Sequence, residues 1–125
     1  MKKIWALLSG MFVALALFAL AAIAEDNTLS ATAPTENTDG SPLTDLASIR
    51  VYHRVNGGAL SLLDDVPFIT PGGLFGYVHT NQLDGVHCYT ATAVNDDGQE
   101  SMMSNEACKT VDTILPLPIN DLTVN

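Results

Sequence analysis

Gly85-Val-His-Cys-Tyr-Thr-Ala-Thr-Ala-Val-Asn-Asp-Asp-Gly-Gln-Glu-Ser101, continued by Ser104-Asn-Glu-Ala-Cys-Lys-Thr-Val111, reads as two alternating strands folded about a turn at Gly98. Cys88 and Cys108 each lie ten residues from that glycine. In an antiparallel hairpin of even register, equidistant residues face one another, close enough for a cross-strand disulfide. A bridge closing a loop of roughly 20 residues adds about 3 kcal/mol in the chain-entropy treatment. The spacing fits neither a metal pair nor a redox pair, so the expected bridge is structural and belongs to an oxidising compartment.

Outward from this hairpin the chain continues as an all-β protein, in short alternating runs separated by Gly, Pro, Asn and Asp. Thr28–Ala33 reads as a weak first strand and Pro34–Leu46 as a polar loop. Ile49–Val55 alternates cleanly, and Asn56-Gly57-Gly58 turns it into Ala59–Leu63. Val66–Leu74 carries two prolines and a Gly-Gly pair and reads as irregular edge or loop, followed by a strand at Phe75–Thr80. The inward set expected from this parity is Leu29, Ile49, Val51, Leu62, Tyr77 and Leu83, joined by Tyr89, Ala91, Ala93 and Val111. Those two modest apolar faces suffice for a sandwich.

The N-terminus begins Met1-Lys2-Lys3, runs uncharged from Ile4 to Ala24, and ends Ala22-Ile23-Ala24 before Glu25-Asp26. A basic start, an apolar stretch and a small-residue end are the marks of a bacterial-type secretory signal over residues 1–24. About 21 apolar residues are also long enough to cross a membrane as a helix, the lesser alternative given the small-residue end, so membrane contact is expected only if the segment is retained. Cleavage would leave one domain-sized unit, residues 25–114 plus a tail at 115–125. It would also remove Lys2 and Lys3 and take the net charge from −9 to −11. That sign repels phosphates and anionic lipid, which argues against nucleic acid as a partner.

Several blocks resemble bacterial fibronectin type III domains. Thr28–Leu46 is similar to the family's second strand and following loop, Ile49-Arg-Val-Tyr-His53 to its third strand, and Leu83–Ser101 to its sixth strand and turn. Ser104-Asn-Glu-Ala-Cys108 is similar to the seventh. The resemblance implies an immunoglobulin-like β-sandwich used as a spacer, adhesin or binding module, without catalytic residues of its own. Three departures stand out. Ala31 occupies the place of a core tryptophan. His87 replaces a corner tyrosine, and its shorter ring is not expected to make the same backbone hydrogen bond. The first strand is missing, leaving one sheet edge bare.

The tail Leu115-Pro-Leu-Pro-Ile-Asn-Asp-Leu-Thr-Val-Asn125 resembles that missing proline-led strand, with Ile119, Leu122 and Val124 as its apolar contacts. It can remain free, fold back on its own domain, or add to the edge of another subunit. The last route would build a head-to-tail filament.

For binding, two acidic loops stand out as the expected contact end for a protein or glycan ligand: Glu36, Asn37, Asp39 and Asp45, then Asp96, Asp97, Gln99 and Glu100. Calcium would need six to eight oxygens, and no EF-hand spacing occurs. His53, His79 and His87 lack zinc-ligand spacing and read as half-buried histidines rather than a metal site. No nucleophile elbow, phosphate loop or polarised carboxylate pair is present, so neither catalysis nor a cofactor is expected.

Overall fold

The computed structural model describes residues 24–125. The expected signal or anchor lies outside the described residues except for Ala24. Six strands follow: β1 Glu25–Thr32, β2 Leu46–Val55, β3 Ser61–Pro67, β4 Leu74–Gln82, β5 Gly85–Asn95 and β6 Ala107–Val111. They form two antiparallel sheets, β1-β4 and β3-β2-β5-β6, so the all-β, two-layer reading holds. The chain passes between layers after β1, after β3 and after β4, which interlocks the sheets.

β2 and β5 form the longest ladder, running from Leu46↔Asn95 to Val55↔His87. Their inward residues Ile49, Val51 and Tyr89 pack with Ala33, Leu43, Leu46 and Phe75. Phe68 and Phe75 add an edge-to-face pair with centroids 5.6 Å apart. In the β2–β3 connection Asn56 and Gly57 both take positive φ (51° and 71°), and the Gly58 amide closes the turn by donating to Val55 O at 3.0 Å.

Two expectations about this region are corrected. Val66 and Pro67 belong to β3, where Val66 pairs with Ile49. The strand survives its proline because β3 is an edge, and its Asp64 and Asp65 blunt that edge further. Leu62 is 53% exposed instead of inward. Val51 pairs with Asp64 but Tyr52 with Leu62, so a bulge skips Leu63, and Leu63 packs against the core instead. Leu83, also expected inward, sits in the β4–β5 turn at 63% exposure.

The decisive hairpin has the expected cysteine register. Cys88 faces Cys108 and the two sulfurs are bonded. The ladder is nevertheless interrupted. Near the turn Val94 bridges Glu100, whereas lower down Tyr89 pairs with Ala107, so two extra residues accumulate across Ser101–Glu106. Ser101 and Ser104 stitch this stretch to β5, donating their amides to the carbonyls of Ala93 and Ala91. Four of the five residues of β6 are exposed, so burial holds it weakly. A bond that closes a separation of 20 residues therefore carries much of its attachment. We expect Cys88→Ser with Cys108→Ser to cost about 3 kcal/mol of stability in denaturant unfolding; an unchanged midpoint and slope would contradict this role.

Candidate functional site

β1 pairs with β4 on one side only, and among the described residues no strand lies against its other edge. That edge opens on Glu25 and Asp26 and then runs Asn27-Thr-Leu-Ser-Ala-Thr32 without a further charge or a proline. Beside it, between β1 and β6, opens a cleft of ≈ 280 Å³. Val51, Phe75, Tyr89 and Ala91 line it from the core side, and Leu29 and Ala31 from β1. Ala31 lies on the inward parity of β1, between buried Asn27 and Ala33, yet is exposed. Its single methyl leaves open the space that a larger residue would fill. Cys108 and Lys109 belong to the opposite wall. At the start of β1, Lys109 Nζ reaches Glu25 Oε1 at 2.7 Å and donates to the Asp26 carbonyl at 3.3 Å, tying the two walls together.

Below the apolar core the two sheets meet through polar side chains. Asn27, 2% exposed, donates through Nδ2 to the Tyr89 hydroxyl at 2.8 Å. Tyr89 in turn donates to His79 Nδ1, also at 2.8 Å. His87 reaches the backbone four residues upstream, Nε2 to Leu83 O at 2.7 Å, which the sequence reading did not anticipate for so short a ring. A carbonyl only accepts, so His87 Nε2 carries hydrogen, and in the neutral ring Nδ1 accepts from His53 Nε2 at 3.0 Å. All three histidines of the chain thus come together from β2, β4 and β5. The His53 ring stacks on His87 with centroids 5.3 Å apart and meets His79 edge-on at 4.8 Å.

Burial lowers the pKa of both His53 and His79. For His53 the charges of His79 and His87 add to the effect, and for His79 that of His87. The unfolded chain therefore binds more protons than the folded one as pH falls, and stability falls with it. We expect stability to be level above neutrality and to decline as pH drops through about 6.5, the ordinary histidine value, measured by urea unfolding at a series of pH values. His53→Gln with His79→Gln should flatten that decline; a wild-type profile level down to pH 5 would contradict it.

The expected binding loops do converge. The Asp96 amide donates to Asp45 O at 2.9 Å, and a second cleft of ≈ 600 Å³ lies between the loops. Glu36, Asn37, Asp39 and Asp45 line one side, Asp97, Gln99 and Glu100 the other, while Asp96 makes only the backbone link. Much of this acidity is already engaged. Asp39 accepts from Ser41, whose hydroxyl and amide hold its carboxyl below the usual range. Glu100 accepts from Tyr52, Thr92 and Arg50, which lower its pKa in that order. Asn37 bonds Ser41 Oγ, and Gln99 bonds Asn95. Among the described residues, the one grouping of Cys, His, Asp and Glu donors tight enough for a metal is Cys88, Glu106 and Cys108, and its two sulfurs are joined to each other.

The tail forms no strand. Asp84 pins its root, accepting from both the amide and the hydroxyl of Thr113. Beyond that point Ile119, Leu122 and Val124 are 80%, 88% and 96% exposed. Comparison with models of known protein families and with curated proteins finds no match.

Proposed function

We propose that this chain is an exported, non-catalytic module of the fibronectin type III type, whose working site is an unfilled strand position. In this reading the bare edge of β1 supplies backbone hydrogen bonds to an extended segment, and the cleft beside it receives that segment's alternate side chains. One observation carries the reading: beyond Glu25 and Asp26 the unpaired edge of β1 is free of charge and proline, and it lies directly against an apolar cleft. The order of strands supports the family assignment, with the first-strand position vacant, and the Cys88–Cys108 bond is compatible with a periplasmic or extracellular location. A module that works by strand addition also suits structural assembly at a cell surface.

A second reading, recognition of a protein or glycan at the acidic loop end, draws on the convergence of both loops around one cleft. It is the weaker of the two, because Asp39 and Glu100 already spend their oxygens on Ser41, Tyr52, Thr92 and Arg50.

Random-peptide selection against protein lacking residues 115–125 separates the readings. Strand addition predicts extended ligands with apolar residues at alternate positions, whose binding is lost in Ala31→Arg. Ligands that survive Ala31→Arg but are lost in Asp45→Ala or Asp97→Ala would move the site to the loops and overturn the strand-position reading.

A further inference from the structure

The cleft says what shape of ligand it takes; the tail says where that ligand comes from. Resting on the strand-position reading, we propose that Ile119–Asn125 of a second copy of this chain fills the cleft antiparallel to β1, so that copies join head to tail.

Direction excludes the chain's own tail. β1 runs from the end of the sandwich that holds Glu25 and Gln82 toward the end that holds Thr32 and Leu74. β6 runs the opposite way and stops where Val111 pairs with Gly85, at the Glu25 end, as the Lys109–Glu25 contact confirms. A strand antiparallel to β1 must enter at the far end, near Thr32. All strand pairs among the described residues are antiparallel, so that is the direction this architecture uses.

Reach settles the matter. Eight residues of β1 span about 26 Å at 3.3 Å each. The tail is tethered at Thr113 by Asp84, and Pro116 and Pro118 lack the N–H a ladder needs, so pairing can begin only at Ile119. From Thr113 to Ile119 the chain extends about 20 Å at most. It cannot climb the length of β1 and turn back within that distance. A neighbouring copy has no such constraint.

Chemistry also fits. Ile119–Asn125 carries one charged side chain, Asp121. Leu122 and Val124 share one face of an extended strand and are nearly fully exposed in the single chain. Because donor and acceptor surfaces differ, the contact is heterologous and passes from each copy to the next.

Two half-disabled proteins test this. One keeps the tail but carries Ala31→Arg, the other keeps the cleft but lacks residues 115–125. By light scattering each alone should be monomeric, and their mixture should form a complex of one copy of each and grow no further. Full-length protein should give larger, concentration-dependent species. A synthetic Leu115–Asn125 peptide, added to the tail-less protein, guards against a misfolded Ala31→Arg. It should bind one to one, and a spin label at its C-terminus should broaden β1 resonances at Glu25–Asn27. Broadening at Thr32 instead would overturn the direction. A full-length monomer destabilised by tail deletion would place the tail on its own domain and overturn exchange, leaving the strand position intact. If selected peptides fill the cleft but the tail peptide does not bind, the tail is not the occupant. If neither binds, the strand-position reading falls as well.

Discussion

The bond between Cys88 and Cys108 is the constraint on which the remaining geometry depends. β6 is short, its side chains are mostly exposed, and the residues before it bulge away from β5. Such a strand is poorly fixed by burial, and the disulfide holds it by covalent chemistry instead. What it holds in place is the far wall of the cleft, since Cys108 and Lys109 line that wall directly. A chain stapled here keeps a strand-wide gap open between β1 and β6 that an unstapled sandwich would be free to lose.

The opposite requirement, keeping the two sheets together beside an open cleft, is met by polar chemistry. The apolar cluster sits toward the loop end, around Leu43, Leu46 and Phe75. The half of the sandwich nearer Glu25 is joined by Asn27, Tyr89 and His79 across the sheets, and by the His53–His87 pair within one of them. Buried networks of this kind hold only while each member keeps the protonation its neighbours require. Burial of His53 and His79 favours their neutral forms, so the inter-sheet contact is matched to pH above the histidine range.

How much of this was legible in the sequence varied with the kind of signal. Cys88 and Cys108 announced their pairing through equal distance from Gly98, a local rule that tolerated two extra residues in the returning strand. β2 was legible from strict alternation, and the loop end from its turn residues. β3 was legible only in its first part, as the Ala59–Leu63 partner of the Asn56-Gly57 turn, because Asp64-Asp65 and Pro67 hide the continuation of an edge strand that uses charge to stay unpaired. Leu62 and Leu63 exchanged roles through a bulge opposite Val51, which leaves no mark in composition. The histidine network lay hidden because His53, His79 and His87 are distant in sequence and meet only after the sheets stack. The cleft itself had one signal in the chain, the small Ala31 where the family resemblance calls for a tryptophan.

The central claim, that the edge of β1 is a docking position for a strand, is tested most directly by amide hydrogen exchange on full-length protein and on protein lacking residues 115–125, both under assembling conditions. The account predicts strong extra protection of β1 amides between Asp26 and Thr32 in the full-length protein, with the β3 edge unchanged. Equal exchange across β1 in the two proteins would contradict it.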